Sequence, residues 1–390
     1  MRRLAHILTK KNKGGCDLKH IETIASHGAE SRSYEGAVSF PIFQTSTYAG
    51  SENFSYTRCG NPTRNELEQT IALLEKGTYG FAFASGLAAI STVFSLLKQG
   101  DHVLISDDLY GGTYRLIEEI WSRFGIEFTF TDLRDLRNAC VKQNTKLIFA
   151  ETPTNPMMKV LPIRALADLA HENGALLAVD NTFLTPYLQQ PLTLGADLSV
   201  QSGTKFLSGH HDTVCGLLTT SSVEIAQRVS LIQRTLGNAL SPFDSWLTLR
   251  GLQTLPARME VHQKNARAAA DFLQSHPRVE RVYYPGLPSH EGHELMKQQS
   301  SGMGGVLSFA LKDEDVMPVL NGGKLFRFAE SLGGTTSLIT YPQTQTHASV
   351  PRDVREKIGI TPRLLRLSVG LENTDDLIED LEQMLQQKTI

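Results

Sequence analysis

The stretch from Leu176 to Gly209 limits most severely what this chain can fold into. It begins with the apolar run Leu176-Leu177-Ala178-Val179, which stops at Asp180-Asn181-Thr182. A second run around Leu198 and Val200 leads into Ser202-Gly203-Thr204-Lys205-Phe206-Leu207-Ser208-Gly209. Apolar runs this short, closed by polar residues, read as buried strands that deliver their last side chains to a sheet edge. The same rhythm extends upstream. Gly80 to Ala84 is followed by Ser85-Gly86 and a helical pattern with Ile90, Val93, Phe94 and Leu97, ending at Gly100. His102 to Ile105 precedes the loop Asp107 to Gly112, then a helix running to Gly125 with Leu116, Ile120 and Trp121 inward. Ile126 to Thr131 and Leu147 to Ala150 read as strands, and Pro162 opens a helix that ends at Gly174. Alternating strand, loop and helix from about 80 to 220 predicts an α/β domain with a mostly parallel sheet. Ligands bind such sheets at the carboxyl ends of the strands.

The flanks read differently. Residues 1 to 20 carry no strong periodicity, and Ile21 to Pro62 reads as an extended, aromatic-rich arm. Thr63 and Glu66 form a capping-box pattern before Leu67, Ile71 and Leu74, a helix that stops at Gly77. Beyond residue 245 come a long helix through Arg258 to Leu273, a Gly-rich strand at 304–309, a strictly alternating run from Leu364 to Leu371, and an amphipathic helix on Leu377, Leu381 and Leu385. The expected division is an arm over 1–62, an α/β domain over 63–245 and a smaller α+β domain over 246–390.

Composition narrows the classes of function. The chain has 390 residues, long enough for two domains with a substantial interior. A net charge of -3 gives no field that would attract nucleic acid or a membrane. The four cysteines, Cys16, Cys59, Cys140 and Cys215, are scattered without a CxxC, as free thiols in a reducing compartment would be. No apolar run is long enough to span a bilayer, and the N-terminus lacks an apolar signal core. A cytoplasmic enzyme is the expectation.

Several polar residues fall at the strand ends. An acid and a lysine on neighbouring ends, Asp180 and Lys205, are what pyridoxal phosphate needs: an amine to form a Schiff base and a carboxylate to keep the pyridine nitrogen protonated. Taken singly, Asp180 could equally cap a turn, and Lys205 could be a surface lysine. Ser85-Gly86-Leu87 opens a helix and suits a phosphate, though an ordinary tight turn looks the same. Tyr110 could stack on a ring or simply pack. Arg366, on the polar face of an alternating strand, suits a bidentate carboxylate or a structural ion pair. Tyr56 and Arg58 share a face of the arm and could reach a neighbouring subunit's phosphate. His210, His211 and Asp212 lack a second ligand cluster, which argues against a metal site.

The ordered set of motifs resembles a known family. Tyr56-x-Arg58-x-x-Asn61-Pro62-Thr63, Ala84-Ser85-Gly86-Leu87-Ala88-Ala89, Asp108-x-Tyr110-Gly111-Gly112-Thr113, Glu151-Thr152-Pro153-Thr154-Asn155-Pro156, Asp180-Asn181-Thr182, Ser202-x-Thr204-Lys205, Ser331-Leu332-Gly333-Gly334 and Arg366-x-Ser368-Val369-Gly370 look like the pyridoxal-phosphate enzymes of cysteine and methionine transsulfuration, over nearly the whole chain from about residue 21. The resemblance implies an aspartate-aminotransferase-like fold and a homotetramer built as a dimer of dimers. It implies Lys205 as the Schiff-base lysine, Asp180 on the pyridine nitrogen and Tyr110 as ring neighbour, with Lys205 and Tyr110 the catalytic residues. Gly86, Leu87, Ser202 and Thr204, with Tyr56 and Arg58 from a partner subunit, would hold the phosphate. Arg366, Asn155 and Ser331 would bind the substrate α-carboxylate, with Arg115 and Glu330 around its distal part. Cys59, Gly203 and His211 depart from the usual Ser or Gly, Ala and Ser. The segments 106–116, 242–247 and 340–347 look most like Gram-positive cystathionine β-lyases, implying β-elimination of L-cystathionine. Arg115 and Glu330 also match γ-synthases and γ-lyases, which remain the alternatives. A catalytically dead binding protein on this fold would have lost Lys205 or Asp180.

Overall fold

The computed structural model describes residues 19–29 and 36–387. Helix α1 (Ile21–His27) begins the described chain, so the arm is not wholly extended as expected. Helix α2 (Pro62–Leu74) follows. Its cap is not the expected Thr63/Glu66 box. Asn61 caps it, accepting from the amides of Thr63 (3.0 Å) and Arg64 (3.3 Å). The Thr63 hydroxyl is taken by the arm, donating to the Pro41 carbonyl and accepting from the Phe43 amide, while Glu66 accepts from the Ala29 amide.

The large domain is built on seven strands: β1 (Tyr79–Phe83), β2 (His102–Ser106), β3 (Glu127–Thr131), β4 (Thr145–Glu151), β5 (Leu176–Asp180), β6 (Leu198–Ser202) and β7 (Gly216–Thr220). Their order is β1-β7-β6-β5-β4-β2-β3, and all neighbours are parallel except those of β7. Between the strands lie α3 (Gly86–Phe94), α4 (Gly111–Glu119), α5 (Ile163–Glu172) and the short α6 (Thr185–Leu188). Strands β2, β4 and β5 carry apolar residues on both faces because helices cover both, whereas one face of β6 is polar, with Ser199 and Gln201 donating to Glu75. One face packs on α3 through Val93, Phe94, Phe149 and Val200, and the other on α5 through Ile148, Leu166 and Val179. On α4 the inward residue is Ile117, fully buried, whereas Ile120 is exposed. The helix stops at Glu119, one turn earlier than its pattern suggested, so Ile120 no longer follows the buried face.

Helices α7 (Val223–Leu236), α8 (Pro242–Leu252) and α9 (Leu255–Ser275) lead to a second sheet. Its strands are β8 (Val279–Tyr283), β9 (Val306–Leu311), β10 (Arg327–Phe328), β11 (Leu338–Thr340) and β12 (Leu364–Ser368), ordered β10-β11-β12-β9-β8. Helices α10 (His293–Gln299), α11 (Met317–Gly322), α12 (Arg352–Ile358) and α13 (Thr374–Gln386) complete it. The alternation in β12 sets its two faces. Leu365 and Leu367 enter a core with Leu273, Phe309, Leu377 and Leu381, each fully buried leucine contributing about 1.5–3 kcal/mol. Arg366 and Ser368 are left on the opposite face, toward the large domain.

Candidate active site

A cavity of about 280 Å³ opens at the carboxyl ends of β4, β5 and β6 and is closed from the other side by the smaller domain. Its wall brings together Gly86, Leu87, Tyr110, Asn155, Asp180, Ser202, Thr204, Lys205, Glu330, Ser331 and Arg366. Residues separated by up to 280 positions thus meet because two sheets aim their polar ends at one space. Arg115, Tyr56 and Arg58 are not in that wall. Arg115 lies on α4, where Tyr110 senses its charge. Arg58 stacks 5.5 Å from the Tyr56 ring centroid and donates to the Arg234 carbonyl.

Asp180 and Ser202 are joined through one hydroxyl. Thr182 donates to Asp180 Oδ1 (2.6 Å) and accepts from the Ser202 amide (2.8 Å), and the Thr182 amide also donates to Oδ1 (3.0 Å). Burial raises the Asp180 carboxyl while these two bonds pull it down. A cation at the cavity-facing oxygen would oppose the burial and keep Asp180 charged, as a protonated pyridine nitrogen would. Beside it, Ser85 caps α3 by accepting from the Ala88 amide (3.1 Å), leaving the amides of Gly86 and Leu87 at the positive helix end. A Cβ on Gly86 would sit 2.9 Å from Ser202 Cβ, so only glycine lets this helix end approach β6. Thr204 lines the cavity with its hydroxyl shared between the Cys215 carbonyl (3.2 Å) and amide (2.9 Å).

Lys205 follows β6 in a turn, and its Nζ donates to the Ser331 hydroxyl at 2.8 Å. Burial lowers its amine to about 8, with Arg366 adding to the effect and Glu330 opposing it. About a tenth of the amine is then neutral at pH 7, against less than about a thousandth for a solvated lysine. Arg366 is 1% exposed. Its Nη1 donates to Asn155 Oδ1 (2.9 Å) and its Nη2 to the Ser331 carbonyl (2.9 Å) and the Thr340 hydroxyl (3.1 Å). The Nε is buried and unpaired among the described residues, so the fork has donor capacity to spare. A helix end for a phosphate, a carboxylate for a ring nitrogen, a depressed amine and a buried guanidinium fit pyridoxal phosphate carrying an amino acid.

Sequence reasoning passed over several contributors. Glu151 ends β4 directly beside Asp180 and lines the cavity. Its signal, an acid closing an apolar run, was the same one that marked Asp180. Thr182, Phe183, Val214 and Thr346 also line the wall. Behind it, Arg258 donates to the carbonyls of Phe206, Leu207 and Gly251 and fixes the turn that carries Lys205. His262 packs edge-on to Phe206 (5.0 Å between centroids) and bonds the Val369 carbonyl. These buttresses join positions too far apart for any local pattern to reveal.

The chain belongs to the Cys/Met metabolism PLP-dependent enzyme family, whose profile matches residues 22–386. It is 48% identical to a cystathionine beta-lyase from Lactococcus lactis subsp. cremoris, over 94% of this chain and 99% of the relative. It is 49% identical to a cystathionine gamma-lyase from Bacillus subtilis, over 90% and 95%. A crystal structure of cystathionine gamma-lyase from Lactobacillus plantarum complexed with L-serine superimposes with a TM-score of 0.93, at 42% identity over 95% of this chain and 99% of that one. The chain is therefore a fold-type-I pyridoxal-phosphate enzyme of the cystathionine lyase and synthase group. Among the described residues no helix is long and apolar enough to cross a membrane.

Proposed function

We propose that this protein is a cystathionine β-lyase, cleaving L-cystathionine and water to homocysteine, pyruvate and ammonia. The observation that carries a carbon–sulfur lyase is the Lys205 amine, depressed to about 8 and held against Ser331 in the wall that also contains Asp180 and Arg366. Arg366 and Asn155 receive the substrate α-carboxylate and fix Cα. Lys205 would hold the cofactor through its amine and, once free, would take the Cα proton. Gly86, Leu87, Ser202 and Thr204 would hold the phosphate, and Tyr110 would neighbour the ring. Bound pyridoxal phosphate supplies an electron sink for the pair left on Cα, which Asp180 supports from the ring nitrogen. Cβ–S would break as the Cα–Cβ double bond forms, the leaving thiolate would take the proton carried by Lys205, and water would hydrolyse the three-carbon enamine to pyruvate and ammonia.

The choice of β-cleavage rests on the likeness of segments 106–116, 242–247 and 340–347 to Gram-positive β-lyases. The last of these places Thr346 in the cavity wall. The Lactococcus β-lyase, matched over nearly its whole length, supports the same choice. Arg115 and Glu330, together with the Bacillus γ-lyase, support a second reading, a γ-lyase or γ-synthase. Product analysis with L-cystathionine separates them. Pyruvate with homocysteine is the expected result; 2-oxobutyrate with cysteine would overturn it. Turnover that needs an O-acyl homoserine and cysteine would favour a synthase. Tyr56 and Arg58 lie outside their own cavity, which supports their serving a partner's phosphate in a cytoplasmic homotetramer.

A further inference from the structure

Glu151 is only 5% exposed, and its two oxygens hold two different loops. Oε2 accepts from the backbone amide of Tyr110 at 3.0 Å, and Oε1 from that of Asn155 at 2.8 Å. Asn155 in turn holds Arg366 Nη1 at 2.9 Å. Arg366 belongs to β12 of the smaller domain, and that domain closes the circuit. His347 Nε2 donates to the Leu109 carbonyl at 3.0 Å, one residue before Tyr110. The Tyr110 loop is thus pinned from below by Glu151 and from across the cavity by His347. One carboxylate forms the direct link from the ring-side loop to the group that carries the guanidinium.

The geometry points to Glu151 as a positioning residue that ties the Tyr110 loop to the carboxylate-binding pair Asn155 and Arg366. Seating a substrate carboxylate and setting the Tyr110 ring then become one event. This rests on the reading of Arg366 as the carboxylate anchor and Tyr110 as the ring neighbour. Both Glu151 oxygens accept from backbone amides, so the residue acts on the cavity through the two loops it holds. In Glu151→Gln one oxygen becomes an amide NH₂, a donor that faces a donor, and one of the two loops is released.

The test uses the holoenzyme and two amines, glycine and methylamine, each titrated by the change it causes in the cofactor's visible absorption. The ratio of their affinities isolates the carboxylate's share. In Glu151→Gln that ratio should fall about tenfold or more, the loss expected for one hydrogen bond in a charged array. The KM for an amino-acid substrate should rise with it. Glu151→Asp keeps the carboxyl but is one methylene shorter, and should fall between; it also serves as the readable variant if the glutamine form does not fold. An unchanged ratio would overturn the inference, as would equal weakening of both amines or a lower melting temperature alone. Arg366→Lys is the control. If it too leaves the ratio unchanged, the carboxylate reading has failed and the inference with it. Neither amine can be eliminated, so the result is independent of whether cystathionine is cleaved.

Discussion

Replacing His347 with glutamine will change how the protein's stability responds to acid. His347 is fully buried, bonded to the Leu109 carbonyl at 3.0 Å and to the Thr346 hydroxyl at 2.9 Å. Burial pushes its imidazole down to about 4, with Arg366 adding to the effect and the carbonyl bonds opposing it. The unfolded chain takes up this proton near pH 6.5 and the folded chain only near pH 4. A depressed folded pKa gives stability that is whole above pH 6.5 and is lost as pH falls toward 4. Between pH 7 and pH 5 that loss is about 2 kcal/mol for this one residue. Glutamine can donate to Leu109 and accept from Thr346 but does not titrate. At pH 7 the variant should be less stable by about 0.5–1.5 kcal/mol. At pH 5 the gap should vanish or reverse, because only the histidine protein has lost the 2 kcal/mol (approximately). His262 and His290, also pushed down to about 4, titrate in both proteins and cancel. Urea denaturation followed by circular dichroism at both pH values measures the gap. A gap of equal size at pH 7 and pH 5 would refute a buried neutral His347.

The Lys205 amine should govern how fast the apoprotein captures pyridoxal phosphate. With the amine at about 8, the capture rate should rise with pH, nearly tenfold per unit below that value, and level off above it. Levelling only near 10.5 would show a solvated lysine, and borohydride should fix the cofactor on Lys205. Gly86→Ala places a methyl 2.9 Å from Ser202 Cβ and should weaken cofactor binding about tenfold, at about 1–3 kcal/mol of strain; unchanged affinity would mean α3 does not seat the phosphate. Arg366→Lys loses the planar fork and should raise KM for the amino acid about 10- to 150-fold with a smaller effect on kcat, read from steady-state kinetics.

What the sequence made legible was local. Leu176 to Asp180 is a strand because four apolar residues in a row can be satisfied only between two helical layers, while Leu198 to Ser202 shows itself by Leu198 and Val200 alternating with polar residues. Asp180, Lys205 and Arg366 stood out because their own neighbours mark them. Contacts made across the chain left no such mark. The Thr63 cap failed because the arm captured the threonine hydroxyl, which no pattern within four residues can announce. Strand β7 runs antiparallel within a sheet whose rhythm reads as parallel. Glu151 matters through an amide 41 positions away. The pair Gly111-Gly112 looked like a loop signal, but each glycine has its own reason. A Cβ on Gly111 would sit 2.0 Å from the Thr346 carbonyl oxygen, and one on Gly112 would sit 2.3 Å from the Tyr110 ring. Both are needed because the smaller domain and the tyrosine press on the same turn.

The site therefore has two walls with different duties. Asp180, Ser202 and the start of α3 come from the large domain and, on the proposed roles, would serve any reaction that needs a ring nitrogen kept charged and a phosphate held. Arg366, Ser331, Glu330 and Thr346 come from the smaller domain and face the cavity. Lys205 grows from the first wall, yet its Nζ rests on the second, at the Ser331 hydroxyl. That hydroxyl sits in a loop pinned to β12 twice, by Arg366 at the Ser331 carbonyl and by Ser368 at the Gly333 amide. On the proposed chemistry, β-cleavage asks the amine to move a proton at Cα, and γ-cleavage asks it to work at Cβ as well. The carbons Nζ can reach depend on where the Ser331 loop parks it relative to the carboxylate seated at Arg366. On that proposal the Ser331 loop would bear on the partition between β and γ cleavage alongside Arg115, Glu330 and segment 340–347. The pair Asp180 and Lys205, so plain in the sequence, is common to both outcomes.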